Sequence, residues 1–179
     1  MRLHEWAFAE DTWREHRELS GDPHPDEVIV GQMLHGVGAY VMGRKMFGGG
    51  DGAWDPAWTG WWGEEPPYHA PVFVLTHHPR EPLVMDGGTT FTFVSDGIES
   101  ALAQARTTAG DLDVSVAGGA STVQQFLAAG LLDELHLHVV PVMIGAGERL
   151  LDGVGDVSFE PVEVVPAPTV THVRYRVRR

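Results

Sequence analysis

Short runs of β-branched and aromatic residues, closed by glycine, proline or polar clusters, alternate along the 179-residue chain with stretches of helical periodicity. Leu3 to Leu19 reads as an amphipathic helix with Trp6 and Trp13 seven residues apart, and Asp22-Pro23-His24-Pro25 breaks it. A second helix is predicted from about Asp26 to His35, acidic in its first turn and followed by Gly36 and Gly38. Ala39 to Met42 predicts a short buried strand running into Gly43-Arg44-Lys45-Met46-Phe47. Gly48 to Tyr68, which holds Trp54, Trp58, Trp61 and Trp62, is long for a connector and reads as a hydrophobic cap over the core in preference to a substrate lid.

Val72 to Thr76 is a second buried strand, ending in the polar turn His77-His78-Pro79-Arg80. Thr90 to Val94 alternates with period two, and Ser95-Asp96-Gly97 reads as the start of a helix over Ile98 to Thr107. Asp113 to Ala117 predicts a strand, Gly118-Gly119 a tight turn, and the residues to about Ala129 a helix closed by Gly130. Glu134 to Val142 reads as a strand with His136 and His138 on one face and Leu135, Leu137 and Val139 on the other. After the turn at Gly145-Ala146-Gly147, Ser158 to Val165 and Thr169 to Val177 flank Pro166-Ala167-Pro168. Seven strands alternating with helices predict an α/β fold with a mostly parallel sheet, flanked by helices and ending in an antiparallel C-terminal edge.

The composition narrows the function. At 19.5 kDa and 43% apolar residues, a single domain over residues 1–179 is expected, with enough chain for a proper core. The absence of cysteine excludes disulfides, thiolate catalysis and zinc–thiolate sites. No apolar stretch is long enough for a bilayer and no leader opens the chain, so no membrane partner and a cytoplasmic address are expected. Twelve basic against 25 acidic residues give a net charge of −13, which argues against bulk nucleic acid as a partner but not against a small anionic ligand.

In an open α/β sheet, ligands sit outside the carboxyl ends of the strands. Three such ends here hold groups suited to phosphate. Met42-Gly43-Arg44-Lys45 offers a glycine and two cations, and Thr76-His77-His78-Pro79-Arg80 a hydroxyl, imidazoles and a guanidinium. Gly118-Gly119-Ala120-Ser121-Thr122 offers backbone N–H groups at a helix start. An arginine fork suits a terminal monophosphate and would separate a phosphorylated dinucleotide from an unphosphorylated one. Neither the Gly-x-Gly-x-x-Gly fingerprint nor the P-loop pattern is present. His77-His78, His136 and His138 lack an evident third ligand and are read as hydrogen-bonding groups, with no metal.

In this order, Met42-Gly43-Arg44-Lys45-Met46-Phe47, Val74-Leu75-Thr76 with Arg80, Gly118-Gly119-Ala120-Ser121, Asp133-Glu134-Leu135, Val140-Pro141-Val142 and Gly145 to Leu151 resemble the dihydrofolate reductase-like superfamily. The likeness is closer to the branch containing the C-terminal reductase domain of bifunctional riboflavin-biosynthesis deaminase–reductases and its stand-alone bacterial relatives. It runs from about Leu3 to the C-terminus. It implies a dihydrofolate reductase-like fold, NADPH as cofactor, and hydride transfer to a small heteroaromatic or carbonyl-type substrate, pteridines and aminopyrimidinones among them. By the same resemblance, Gly43, Arg44, Lys45 and Met46 would meet the cofactor at a helix start. Thr76, His77 and Arg80 would lie near the adenosine ribose phosphate, and Gly118, Gly119, Ala120, Ser121 and Thr122 would hold the pyrophosphate. Pro141 and Gly145 would shape the nicotinamide side.

A homodimer is also implied. Members of the superfamily usually open with a strand bearing a Ser-Leu-Asp-Gly-like motif upstream of where this chain starts, so the fold is expected without its usual first strand. No proton donor is assigned: Glu5, Glu10 and Asp11 read as solvated helix charges. The alternative to a reductase is a non-catalytic NADPH- or nucleotide-binding protein that has lost that strand; a third reading is a structural domain whose glycines serve only turns.

Overall fold

The β-branched runs form strands because both their faces can be buried. In the computed structural model, which describes Leu3, His4, Trp6, Ala7 and residues 25–178, these runs sort into two sheets. Strands β1 (Val37–Gly43), β2 (Pro71–Leu75), β3 (Leu83–Val84), β4 (Thr90–Val94) and β5 (Asp113–Val116) make a five-stranded sheet in the order β3-β4-β2-β1-β5. All pairings are parallel except β3 with β4. Strands β6 (Glu134–Val139), β7 (Ser158–Pro166) and β8 (Thr171–Arg178) make an antiparallel sheet in the order β6-β8-β7. The C-terminal pair is therefore antiparallel, as expected, but it pairs with β6 in a sheet of its own. Eight strands are present among the described residues against the seven expected, because two-residue β3 is too short to show a periodicity.

The described residues group into two compact units. One comprises Gly36–Ala129 and Arg149–Gly153, and the other the described residues before Gly36 together with Gly130–Glu148 and residues 154–178. In the first, the parallel unit, Val41, Met42, Val72, Val74 and Phe91 are buried on the sheet. Helix α3 (Ile98–Ala109) lies over β1, β2 and β5, brought close by the fully buried Ala101 and Ala105. Its N-cap is Gly97 with φ 93°, not Asp96; the Asp96 carboxylate accepts the Ser95 hydroxyl at 3.4 Å and leaves the helix N–H groups alone. Tyr40 of β1 is buried with its hydroxyl unpartnered among the described residues. Burial, and then Tyr68 at 5.0 Å between rings, push its pKa up to about 12.

In the second, antiparallel unit, α1 (Pro25–Leu34) contributes Val30 to a buried cluster with Trp6, Ala7 and Val170. Of the helix expected over Leu3–Leu19, the described Leu3, His4, Trp6 and Ala7 form a turn instead, closed by the Ala7 N–H on the His4 carbonyl at 2.9 Å. Glu5, Glu10, Asp11, Trp13 and the break at Asp22-Pro23-His24 lie outside the described residues. On the sheet face that also carries His138 and His172 runs a charge ladder: Arg174 pairs with Glu134 and Glu163, and Arg176 and Arg178 pair with Glu160. A buried chain joins three segments. His172 Nε2 meets Asp26 Oδ1 at 2.9 Å, and His138 Nδ1 meets His172 Nδ1 at 2.8 Å. The Trp6 ring packs against both imidazoles, at 4.7 and 5.0 Å. Burial, then His172 and His136, lower the His138 pKa to about 4, against the raising effect of Asp26. Among the described residues, no group of three or more His, Asp or Glu side chains is placed to hold a metal, and no helix is long and apolar enough to cross a membrane.

Candidate functional site

Parallel pairing sets three strand ends side by side. Gly43, the last residue of β1, is in register with Leu75 at the end of β2, and Val41 with Val116 at the end of β5. The three motifs read as phosphate-binding thus share one edge of one sheet. The Gly43 N–H donates to the Gly118 carbonyl at 2.8 Å and the Ala117 N–H to that of Val41 at 2.9 Å. A Cβ at Gly43 would overlap the hydroxyl of Thr122, whose side chain is buried. Glycine at 43 is required by this close approach, a contact that the sequence does not display.

Gly118 has φ 106° and is joined to Gly119 by a cis peptide. A Cβ at either position would meet nothing within 4 Å, so the ground beside this turn is open. Helix α4 (Ala120–Ala128) begins at once, with the Gly119 carbonyl taking the N–H groups of Thr122 and Val123. The N–H groups of Ala120 and Ser121 precede any intrahelical acceptor. Open backbone, N–H groups and the positive end of a helix dipole meet here, the combination that suits a pyrophosphate.

The cations divide into different roles. Arg44 opens α2 (Arg44–Phe47), a single turn, and its donors engage the following loop: Nε to the Gly50 carbonyl at 3.0 Å, and Nη2 to those of Gly52 at 2.8 Å and Gly49 at 3.5 Å. Its Nη1 reaches Thr76 Oγ1 at 3.4 Å, and its guanidinium stacks 3.3 Å from the centre of the Trp54 ring. Desolvation lowers the Arg44 pKa, Asp51 raises it and Arg80 lowers it. Arg80 gives Nη1 to the Trp58 carbonyl at 2.9 Å and sits 5.1 Å from the same Trp54 ring and 5.2 Å from Phe93. Thr76 is buried, its hydroxyl accepting the His78 N–H at 3.0 Å, while His77 and Lys45 are exposed. The Met46 carbonyl accepts Trp61 Nε1 at 3.0 Å. Pro141 and Gly145 belong to the antiparallel unit, in the stretch after β6.

The Trp-rich segment does cap a core. Trp54 packs edgewise on Phe47 and Phe93, and Phe47 on Phe91 and Phe93. It also fixes both arginines, a role the composition of the loop did not reveal. Neither Arg44 nor Arg80 forms an ion pair with a carboxylate among the described residues, whereas all three arginines of β8 do. In a chain of net charge −13, these two adjacent guanidinium groups stand outside any described ion pair, with Asp51 acting on Arg44 only through space.

A parallel sheet with a glycine turn, a helix N-terminus and two arginines at its carboxyl edge defines the chain as an α/β protein. The chain belongs to the RibD C-terminal domain family, whose model matches residues 7–173. Solved structures agree on the fold. A protein of Shewanella sp. PV-4 assigned to riboflavin biosynthesis has 23% identity and a TM-score of 0.64, over 92% of this chain and 84% of that one. Acinetobacter baumannii RibD has 16% identity and a TM-score of 0.57, over 89% of this chain and 53% of that one, so this chain spans about half its length. Dihydrofolate reductase of Enterococcus faecalis, complexed with NADP(H), has 18% identity and a TM-score of 0.55, over 88% and 84% of the two chains. No curated protein matches the sequence.

Proposed function

We propose that this protein is an NADPH-dependent reductase passing a hydride to a small heteroaromatic or carbonyl-type substrate, with pteridines and aminopyrimidinones the first classes to try. The observation that carries the reading is the shared strand edge: the open Gly118-Gly119 turn at the start of α4, with Arg80 and Arg44 unpaired by any described carboxylate on the neighbouring strand ends. Membership of the RibD C-terminal domain family and the NADP(H) held by the E. faecalis reductase support it. Bound NADPH would supply the hydride from its nicotinamide ring. The residues of this chain would do the holding: backbone N–H groups at Gly119, Ala120 and Ser121 the pyrophosphate, and Arg80, with donors left over after Trp58, the terminal phosphate of the adenosine ribose. A single functional domain and a homodimer belong to the same proposal, with the exposed Val139, Met143, Ile144 and Val164 of the antiparallel unit as the apolar surface to be covered.

The test is a tryptophan-fluorescence titration with NADPH and NADH, followed by NADPH oxidation assays on an aminopyrimidinone, a dihydropteridine and a quinone. The expected result is NADPH-selective quenching, with Arg80→Ala reducing that preference about tenfold or more, the scale of one lost charge-assisted hydrogen bond. Equal wild-type affinity for the two nucleotides would refute the cofactor assignment. Selective binding without turnover on any of the three classes would leave a non-catalytic NADPH-binding protein.

A further inference from the structure

Trp54 is held from several sides at once. Its ring is wedged against Phe47 at 5.7 Å and Phe93 at 5.1 Å, both buried, and its indole N–H donates to the His78 carbonyl. That carbonyl lies on the turn that carries Arg80, while Trp54 itself lies on the loop whose carbonyls fasten Arg44. One indole thus joins the loop after β1 to the turn after β2 and presents its π surface to both guanidinium groups.

Two like charges this close repel, and a protein ordinarily settles such a pair with a carboxylate, as Glu160 does for Arg176 and Arg178. Here Asp51 acts on Arg44 through space without an ion pair, and Arg80 forms no ion pair among the described residues; a paired carboxylate would repel a phosphate. An aromatic face stabilises a cation through its quadrupole and carries no net charge, so it holds arginines in place without cancelling the field they offer to an incoming anion. Arg44 is turned into the loop by its own hydrogen bonds, and Arg80 is the member with donors left to give.

We infer that Trp54 is a positioning residue for nucleotide choice: it orients Arg80, backed by Arg44, toward a terminal phosphate monoester and so sets the preference for NADPH over NADH. This rests on the cofactor reading above and names the residue that gives that site its selectivity.

The experiment compares Trp54→Phe with Trp54→Met in the full chain. Both replacements fill the space with an apolar side chain, and only phenylalanine keeps a π face. Isothermal titration with NADPH and NADH gives the affinity ratio, and its stoichiometry gives the fraction of folded protein, so partial unfolding does not pass for weak binding. Trp54→Phe is expected to keep the wild-type ratio to within about threefold, and Trp54→Met to lower it about tenfold through weaker NADPH binding at unchanged NADH affinity. In the wild type, the indole N–H resonance of Trp54, assigned by its loss in Trp54→Phe, is expected to shift with NADPH and not with NADH. Wild-type ratios in both variants, or equal shifts with the two nucleotides, would overturn the role of Trp54, while equally lowered ratios would place that role in the indole N–H bond to the His78 carbonyl. A wild type that binds both nucleotides equally would instead overturn the cofactor reading beneath it.

Discussion

Acid should loosen the antiparallel unit through one imidazole. His172 is placed to donate from Nε2 to the buried Asp26 carboxylate, which leaves its Nδ1 as acceptor for His138 Nδ1–H. Burial of the ring, then the neighbouring His172 and His136, disfavour a charge on His138, so it resists protonation and its pKa falls from 6.5 to about 4. The unfolded chain, with an ordinary histidine, takes up that proton near pH 6.5, and the folded chain does so only near pH 4. Between these values the unfolded state binds more protons. The contribution of His138 is therefore complete above about pH 6.5 and is lost progressively as pH falls toward 4. The shift corresponds to about 3 kcal/mol at full burial, and solvent screening of the partly accessible ring brings the expected loss to about 2 kcal/mol. Urea denaturation at steps between pH 7.5 and pH 4 measures it, with His138→Asn as the control. Its amide can donate to His172 Nδ1 and does not titrate in this range. The wild-type midpoint should fall by about 1 M more than that of the variant across this window. Parallel curves for the two proteins would refute the reasoning.

Two substitutions test the packing of the parallel unit. Tyr40→Phe removes a buried hydroxyl that has no partner among the described residues, and thermal melting should show stability unchanged or raised by about 1 kcal/mol; a loss of that size would mean the hydroxyl is hydrogen-bonded after all. Gly43→Ala drives a methyl into the Thr122 hydroxyl and should cost about 1–3 kcal/mol and weaken NADPH binding, while Thr122→Ala in the same chain should restore most of both. No rescue by the second change would place the strain elsewhere.

Where one physical rule acted alone, the fold could be read from the residues. Val72 to Leu75 is a strand because nothing polar interrupts it and Thr90 to Val94 because its apolar residues alternate, and their ends fall where Thr76 and Ser95 begin the turns. Local rules that compete were less legible. Ser95-Asp96-Gly97 contains the side chains of a helix cap, yet Gly97 takes the N-cap position and Asp96 turns to Ser95. The Asp26–His172 contact spans 146 residues of separation, and no periodicity or spacing in the chain could announce it. His138 and His172 meet because β6 and β8 pair in one particular register, which sets them directly opposite.

The candidate site follows the same division. That Gly43, Thr76 and Gly118 should meet depends only on parallel strands ending at one edge, and each lies at or just past the end of its own strand. What each cation does there depends on a loop with no regular structure. From the sequence, Arg44 and Arg80 are equivalent guanidinium groups following buried strands. In the structure, Gly49, Gly50 and Gly52 turn their carbonyls onto Arg44, whereas Arg80 has one bond to the Trp58 carbonyl. Gly49 and Gly50 adopt positive φ, the backbone freedom that lets three carbonyls of one short loop converge on one side chain. The glycines that look like simple loop filler therefore decide which arginine is fastened into the loop and which keeps donors free.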